Sequence, residues 1–483
     1  MSLSKVANVA GLLQIFVALA MFATGLVAIG FGDGDAVALF QSGVITFLAG
    51  WATYMATRFD EEVTAREGFA IVTMAWTTTA LFGCLPYLLS GVLDSPVAAF
   101  FESMSGFTTT GATVFADIES LPRGILLWRS LTHWIGGMGI IVLVIAVLPY
   151  LGVGGMQLFR AEVPGPTPER LRPRIAQTAK LLWMVYFGLT AVVALLYALG
   201  GLGVYDALNH AFSTIATGGF STRNSSMAEM SPYIQWVTIV FMYLAGVNYS
   251  LHFRAATNRL AYVRDAEWRF YTAILLGSAA LIVTLNALSG DVGMEETIRH
   301  GLFQVVAITT TTGYVTSDYE AWVPGARMVL FALFFVGGMA GSTSGGVKTL
   351  RVMLLIKQTA NELRRHLHPR AVFVTRIGHR PMKDEVVTRV VGFVVLYLIL
   401  CLSGAIALSF VGIDPYTAIT GSISSVGNIG PAFADLGPTD NFGWMPSPAL
   451  GVLTFLMLVG RLEIYTVLLL LHPELWKRRS AFH

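Results

Sequence analysis

Long apolar runs recur along the whole chain and are separated by short polar connectors. Several of these runs reach the ~20 residues that a helix needs to cross the hydrocarbon core of a bilayer. The pattern predicts ten membrane spans: Asn8 to Phe31, Val37 to Thr57, Gly68 to Gly91, Ile125 to Pro149, Thr178 to Leu202, Tyr233 to Leu251, Phe270 to Leu288, Arg327 to Ile356, Val386 to Val411 and Leu450 to Leu471. We therefore expect an all-α integral membrane protein.

Between the spans, one polar segment recurs four times. The copies are AFFESMSGFTTTGAT at 99–113, ALNHAFSTIATGGFS at 207–221, GLFQVVAITTTTGYV at 301–315 and AITGSISSVGNIGPA at 418–432. They align on Gly111, Gly219, Gly313 and Gly430, and the position two before the glycine holds Thr109, Thr217, Thr311 or Asn428. Each copy lies between two spans, so one unit of span, half-length helix, polar loop and span is used four times.

Each copy is preceded by an acid, namely Asp94, Asp206, Glu296 or Asp414. An acid at the start of a helix caps free N–H groups and complements the positive end of the helix dipole. The helix that follows has about a dozen residues, too few to cross a bilayer, and non-helical backbone at that depth must be buried in protein or line water. The repeat therefore predicts four re-entrant segments that close a ring around one central pore.

The polar end of each re-entrant segment has the composition of an ion selectivity filter. Backbone carbonyls and threonine hydroxyls can replace the water shell of a cation, and glycine allows adjacent carbonyls to point the same way. The predicted cation ligands are Thr109, Thr110, Gly111, Thr217, Gly218, Gly219, Thr311, Thr312, Gly313, Asn428, Ile429 and Gly430. We call the segments 108–113, 216–221, 310–315 and 427–432 the glycine loops.

The second span of each repeat also carries an aligned motif: IGGMG at 135–139, LAGVN at 244–248, VGGMAG at 336–341 or LVGRLE at 458–463. The alignment makes Met138, Val247, Met339 and Arg461 equivalent. An arginine deep in a membrane costs at least ~2.5 kcal/mol and is a functional candidate. The pseudo-symmetry of the repeats places Arg461 in the pore, where its charge would help cations leave the filter or act as part of a barrier. The alternative is a pair with Glu463, although residues two apart on a helix do not face each other.

The second span of the third repeat is interrupted by GGMAGSTSGG at 337–346. Each glycine costs about 1 kcal/mol relative to alanine inside a helix, and a loop at this depth must be buried or border water. Because one repeat of four carries this run, we predict a movable gate formed with Arg461 by Gly337, Gly338, Gly341, Ser342, Thr343, Ser344, Gly345 and Gly346. A small-residue surface for close helix packing is the alternative.

Composition and charge add an orientation. The chain is 55% hydrophobic and 12% charged, with a mean hydropathy of +0.66, which excludes a soluble globular protein. Among the 31 Lys and Arg, those placed opposite the N-terminus are Arg123, Arg129, Arg223, Arg299 and Arg327. The N- and C-termini are therefore predicted to be cytoplasmic, with an acidic outer face that concentrates cations. Both cysteines, Cys84 and Cys401, fall inside spans, which excludes a disulfide framework.

The repeat divides the chain into an N-terminal pair of transmembrane helices at 1–66 and pore repeats at 67–160, 161–265, 266–370 and 371–483, with the gating loop 337–346 in the third. A basic connector at 357–389 suits an acidic or regulatory partner or anionic lipid. The chain contains no H-E-x-x-H or G-x-S-x-G frame, and the lone His133 and His210 are placed near the outer boundary, so no enzyme is predicted. Nothing in the pattern suggests a nucleic-acid partner.

Taken together, these motifs resemble the Trk/Ktr/HKT superfamily of potassium uptake proteins, most closely the membrane subunit of bacterial Trk systems. The resemblance covers essentially the whole chain through TTTGAT, ATGGF, TTTTGY, NIGPA, GGMAGSTSGGVKTLR and GRLE. It implies gated, channel-like potassium uptake across the bacterial inner membrane by a homodimer with one pore per subunit. It also implies a cytosolic nucleotide-binding ring of the TrkA type, K⁺ at the filter, and no covalently bound cofactor.

The resemblance bears on selectivity as well. In related plant transporters a serine at the first filter glycine accompanies sodium transport, so Gly111 favours potassium. Asn428 and Ile429 depart from the threonine pattern of the family. Proton- or sodium-coupled symport and a less selective K/Na transporter remain the alternatives; Glu102 and Glu463 are the few acids inside the predicted membrane segments, so an obvious carboxylate relay is lacking.

Overall fold

The computed structural model describes residues 2–57, 64–146, 171–288, 293–378 and 380–476, which are mainly helical. The helices are α1 (Leu3–Phe31), α2 (Ala36–Ala56), α3 (Ala65–Gly83), α4 (Leu85–Leu89), α5 (Pro96–Phe107), α6 (Arg123–Ala146), α7 (Leu171–Leu199), α8 (Val204–Ala216), α9 (Pro232–Ala245), α10 (Tyr249–Thr257), α11 (Ala261–Arg264), α12 (Ala266–Ala287), α13 (Met294–Thr309), α14 (Pro324–Leu333), α15 (Thr349–Leu367), α16 (Asp384–Phe410), α17 (Pro415–Gly427), α18 (Ser447–Arg461), α19 (Tyr465–Leu471) and α20 (Pro473–Trp476). Two strands, β1 (Arg376–Ile377) and β2 (Arg380–Pro381), form an antiparallel ribbon, and 3₁₀ turns cover Tyr319–Ala321 and Ala434–Leu436.

The repeated unit of the sequence is visible in the order of these helices. Each repeat has an outer helix that precedes a half-length helix and an inner helix that follows it. The half-length helices are α5, α8, α13 and α17, with 12, 13, 16 and 13 residues. The N-terminal helix α1 packs along α2 and also contacts α3 and α6 of the first repeat. The predicted all-α membrane fold with re-entrant segments is confirmed.

Not every one of the ten predicted spans is a single continuous helix. In the described residues, six helices are long and apolar enough to cross a membrane, or up to eight if each bent pair forms one span. The inner helix of the second repeat bends by 97° between α9 and α10, and that of the fourth by 116° between α18 and α19. The end of the fourth predicted span, 147–149, and the boundary at 160/161 lie outside the described residues.

The third inner helix, which carries the glycine run, is not the only inner helix that is broken. The break in the fourth repeat has no glycine run; Glu463 and Ile464 take positive φ angles of 63° and 49° there. The carboxylate of Glu463 pairs with the Arg351 guanidinium from the third repeat. In the second repeat, the carbonyl of Gly246 accepts from the Met339 N–H at 2.9 Å. Bonds between repeats hold these breaks, so a local pattern could not predict them.

The acids that precede the half-length helices act in different ways. Asp414 caps α17 by accepting from the backbone N–H groups of Tyr416 and Thr417 at 2.9 and 3.4 Å, as predicted. Asp206 and Glu296 lie within the first turn, where they complement the dipole without capping the helix. Asp94 was predicted as a cap, but Ser95 takes that place and accepts from the Ala98 N–H at 3.4 Å.

One of the bases placed opposite the N-terminus is buried. Arg129 is only 1% exposed and forms an ion pair with Glu102 at 2.8 Å. The pairing allows a guanidinium to be buried that would otherwise require water. Cys84 and Cys401 are both buried and free, as the sequence predicts.

Candidate functional site

The four glycine loops share one backbone conformation, which continues from the end of each half-length helix. The residue two before the glycine is left-handed in every copy, with φ of 52° at Thr109, 56° at Thr217, 56° at Thr311 and 55° at Asn428. The glycine is left-handed too, with φ of 82° at Gly111, 83° at Gly219, 74° at Gly313 and 99° at Gly430. The fourth loop departs from the threonine pattern in its side chains only; its backbone matches the other three.

Hydrogen bonds explain how this conformation is held. The N–H of the residue before each glycine donates to the carbonyl five residues earlier, in the half-length helix: Thr110 to Ser105 at 2.9 Å, Gly218 to Ser213 at 2.9 Å, Thr312 to Ala307 at 2.8 Å and Ile429 to Ser424 at 3.0 Å. The N–H one residue earlier donates to the carbonyl three residues back in all four loops. Both N–H groups are thus turned back toward the helix end.

The carbonyl oxygens of the same two positions are left without a donor. Within the described ranges, no N–H or O–H group donates to them, although the residues that carry them are buried. Buried backbone carbonyls are almost always paired, and a cation can supply the missing partner. The arrangement therefore suits a dehydrated cation.

The glycines close the loops into one ring. A Cβ atom built on Gly111 would overlap the carbonyl oxygen of Gly218, and those on the next glycines would meet equivalent carbonyls in turn: Gly219 against Thr312, Gly313 against Ile429 and Gly430 against Thr110. Each repeat thus contacts the next, and the fourth returns to the first. The twelve predicted ligand residues lie together in this ring, and a side chain at any of the four glycines would require the neighbouring loop to shift.

Several threonine hydroxyls of the ring are engaged in hydrogen bonds within and between the loops. The hydroxyls of Thr110 and Thr312 bond to those of Thr108 and Thr310 at 2.7 and 2.8 Å, within their own loops. Thr110 also accepts from the Asn428 side-chain amide at 3.0 Å, which links the fourth loop to the first. These bonds hold the ring laterally, so the unpaired carbonyls are its main free ligands.

The loop at 337–346 lies directly against the ends of the half-length helices. Its Gly345 N–H donates to the Thr311 hydroxyl at 2.7 Å. The Thr343 hydroxyl donates to the carbonyls of Ile215 at 3.1 Å and Ala245 at 3.3 Å, at the ends of α8 and α9. The loop of the third repeat therefore reaches the second repeat while it touches its own glycine loop.

The remaining residues of this loop shape its turns. Gly337, Gly341 and Gly346 have φ of 75°, 81° and 70°. A Cβ on Gly338 would overlap the Ser344 side chain, whose hydroxyl has no partner in the described structure. Ser342 bonds back to the Met339 carbonyl through its N–H and its hydroxyl. The predicted gate residues from 337 to 346 thus form one compact irregular segment and are not part of a continuous helix.

Arg461 contacts this segment. Its side chain is 2% exposed and donates from Nη1 to the Thr343 carbonyl at 2.7 Å. Its Nε and Nη2 have no partner within the described residues. Glu463 pairs with Arg351, so the predicted alternative of a local pair between Arg461 and Glu463 is not what forms. The Arg461 guanidinium, with these two unpaired nitrogen atoms, therefore lies beside the 337–346 loop, which itself contacts the ring through Thr311.

Two contacts of the 337–346 loop were not predicted from the sequence. The Ala340 N–H donates to Glu267 at 2.7 Å, and its carbonyl accepts from the Asn248 side chain at 2.7 Å. Both partners carry a signal that could have been used: Asn248 ends the LAGVN motif, and Glu267 is an acid at the edge of an apolar span. They hold the loop from the first turn of α12 and from the break between α9 and α10.

Comparisons with known proteins agree with this architecture. The family model for TrkH cation transport proteins matches residues 36–478. The Trk system potassium uptake protein TrkH of Salmonella typhimurium is 39% identical over 485 residues, covering 99% of this chain and 100% of that protein. The uptake protein TrkG of Escherichia coli is 33% identical, with 98% of each chain covered.

A solved structure extends the agreement to three dimensions. The crystal structure of the potassium transporter TrkH from Vibrio parahaemolyticus matches with a TM-score of 0.91 at 36% identity. The match covers 99% of this chain and 100% of that one. With its four-loop ring, its interrupted third inner helix and its full-length relatives, this chain belongs to the TrkH family of cation transport proteins.

Proposed function

We propose that this protein is the potassium-translocating subunit of a Trk-type uptake system and passes K⁺ through a gated, channel-like pore. The observation that carries the proposal is the ring of glycine loops, in which buried carbonyls of all four repeats have no donor among the residues that the structure describes. Relatives that this chain matches over almost their whole length are named as potassium uptake proteins. K⁺ is the cargo here, and its binding at the ring is transient.

The twelve ring residues supply the ligands in this proposal. Carbonyl oxygens replace the water shell of K⁺, and the flanking hydroxyl and amide bonds keep the ring at one size. The bond from Asn428 to Thr110 at 3.0 Å supports such a role for the fourth loop. The departure of that loop from threonine therefore need not weaken coordination, since its backbone φ angles match the others.

The 337–346 loop and Arg461 form the gate in this proposal. The loop bonds to Thr311 in one glycine loop, and Arg461 holds it through the Thr343 carbonyl. A fixed positive charge beside the ring raises the free energy of a cation there. Opening requires the loop to leave these bonds, and a cytosolic partner can supply the free energy for that movement.

The proposed assembly rests on the resemblance to the Trk/Ktr/HKT superfamily. We propose a homodimer in the bacterial inner membrane with both termini cytoplasmic, controlled by a TrkA-type nucleotide-binding ring. The basic C-terminal half of α15, with Arg364 and Arg365, supports a cytosolic docking face. The positive-inside rule supports the orientation.

Ion flux into liposomes tests this function. Purified protein should pass K⁺ and Rb⁺ in preference to Na⁺, and Gly111→Ser should abolish that preference because a Cβ there overlaps the Gly218 carbonyl. Gly451→Ala, at a glycine with open space around it, is the matched control and should behave like the parent. Flux that requires a proton or sodium gradient, or a preference that Gly111→Ser leaves intact, would reject the channel-like filter in favour of coupled symport.

A further inference from the structure

In three of the four repeats, one position of the half-length helix bonds to the outgoing limb of its own glycine loop, by which we mean the residues just after the ring glycine. Nine residues before the ring glycine stand Glu102, His210, Gln304 and Gly421. The first three bond to the residues just beyond the glycine: Glu102 accepts from the Val114 N–H at 2.9 Å, His210 bonds the Ser221 hydroxyl at 3.0 Å, and Gln304 donates to the Thr316 hydroxyl at 3.5 Å. In the fourth repeat, the neighbouring Thr420 donates to the Phe433 carbonyl at 3.0 Å.

In the first repeat, the residue that makes this bond is the charged Glu102. Glu102 is fully buried, accepts from the Thr113 hydroxyl at 3.0 Å and pairs with Arg129 Nε at 2.8 Å. Arg129 Nη2 donates to the same Thr113 hydroxyl at 3.2 Å. An uncompensated charge here would be costly, and the pair together with its hydrogen bonds satisfies both groups. The outgoing limb of the first loop is thus fixed by three mutually bonded side chains.

The same guanidinium continues into the second repeat. Arg129 lies 4.1 Å from the centroid of the Phe220 ring and donates from Nη1 to the Ser221 carbonyl at 3.4 Å. The His133 ring stacks on Phe220 with centroids 4.0 Å apart. Arg129 and His133 therefore both contact the Phe220 ring. Phe220 directly follows Gly219, so these contacts, which together with the Glu102–Arg129 pair we call the clamp, restrain the backbone next to a ring glycine.

We propose that the Glu102–Arg129 pair, acting through Phe220, is a positioning device that fixes the first and second glycine loops relative to each other and thereby sets discrimination between K⁺ and Na⁺. The inference rests on the proposed function of the ring. A carbonyl ring selects by its own size and by the number of its ligands. If two of its four loops can move relative to each other, the ring can also coordinate the smaller ion.

The test is the K⁺/Na⁺ permeability ratio, measured as the bi-ionic reversal potential of the full chain in planar bilayers. Two variants loosen the clamp in different ways. The double variant Glu102→Gln with Arg129→Gln removes both charges together, so that neither is left buried alone. Phe220→Leu removes the ring and leaves the ion pair intact. We expect both to conduct K⁺ with a permeability ratio lowered by about fivefold or more, which corresponds to about 1 kcal/mol of relative binding free energy.

A matched control removes a buried ion pair away from the ring. Lys5 and Glu67 lie 3.5 Å apart in α1 and α3, each with a side chain 6% exposed. The double variant Lys5→Gln with Glu67→Gln should lower thermal stability without a change in the permeability ratio. That difference separates a positioning role from a general loss of folded protein.

If both clamp variants keep the K⁺/Na⁺ permeability ratio of the parent, the inference is wrong and the proposed potassium pathway is unaffected. If the Glu102/Arg129 double variant cannot be recovered folded, Phe220→Leu decides alone. If the parent itself shows no preference for K⁺ over Na⁺, the proposed function and this inference fail together.

Discussion

At the scale of single residues, the ring depends on conformations that its sequence does not favour. Thr109, Thr217 and Thr311 are β-branched yet left-handed, a state that costs on the order of 1–3 kcal/mol and persists only where surrounding bonds impose it. The N–H bonds to the half-length helices provide that constraint. Asparagine tolerates this region more readily, so Asn428 gives the same backbone with less strain and uses its amide to reach the first loop.

Asn428→Asp tests that amide. The Asn428 Nδ2 donates to the Thr110 hydroxyl and, at 2.9 Å, to the Met457 carbonyl, and a carboxylate can donate to neither. We expect the free energy of unfolding to fall by about 1–3 kcal/mol and K⁺ selectivity to weaken, measured by thermal unfolding and reversal potentials. Asn441→Asp is the control, because its side chain accepts from the Gly443 N–H and aspartate can do the same. Equal behaviour of the two variants would contradict this role.

Arg461→Gln tests the barrier. The variant removes the charge and weakens the bond to the Thr343 carbonyl. A hydrogen bond from a charged group contributes about 1.5–3 kcal/mol, so we expect single-channel open probability to rise about tenfold or more. Arg461→Lys retains the charge and separates the two contributions, and the exposed Arg259→Gln serves as the control. Unchanged gating in Arg461→Gln would remove this residue from the barrier.

At the scale of elements, the inner helices carry most of the asymmetry of the molecule. Those of the second and fourth repeats bend sharply, and that of the third gives way to an irregular segment from 334 to 348. Carbonyls and N–H groups freed by these breaks bond to one another, as between Met339 and Gly246. Such exchange is what allows irregular backbone within a membrane protein. The half-length helices stay similar, whereas the inner helices diverge.

Gly345→Ala tests how closely the 337–346 loop must approach the ring. A Cβ there would overlap the Gly427 carbonyl at the end of α17. Overpacking of this kind costs about 1–3 kcal/mol, and moving the loop away from Thr311 relieves it, so we expect a higher open probability. Gly451→Ala, which meets no neighbour within 4 Å, should leave gating unchanged. A closed-state lifetime equal to that of the parent would place the gate elsewhere.

At the scale of the whole molecule, apolar side chains cover the surface and polar residues are buried at the ring. Large apolar side chains are exposed on α1, α7 and α16, as at Phe16, Leu195 and Leu402, where lipid can cover them. The buried polar residues concentrate in the glycine loops and in the half-length helices behind them. This inversion is expected when the solvent is a bilayer and a pore must stay polar.

Cysteine labelling tests the orientation. Cys84 and Cys401 are 5% and 6% exposed, so the parent should resist a membrane-impermeant maleimide applied to intact cells. Ser120→Cys, at an exposed site beyond the first glycine loop, should be labelled, and His366→Cys, on the exposed basic end of α15, should be labelled only after lysis. The positive-inside rule gives this direction. The reverse pattern would invert the proposed topology.

The sequence by itself determined the membrane class, the fourfold unit, the ring glycines and the interrupted third inner helix. These features can be read from the lengths of apolar runs, from the similarity of segments along the chain and from glycine positions, none of which depends on how the repeats pack. Only the tertiary structure decided the bends of the second and fourth inner helices, the burial of Arg129 and the partners of the threonine hydroxyls. Each of these depends on groups far apart along the chain, such as Asn428 and Thr110, which are separated by 318 positions. Local pattern cannot specify such pairs, because their free energy exists only once the repeats have packed together.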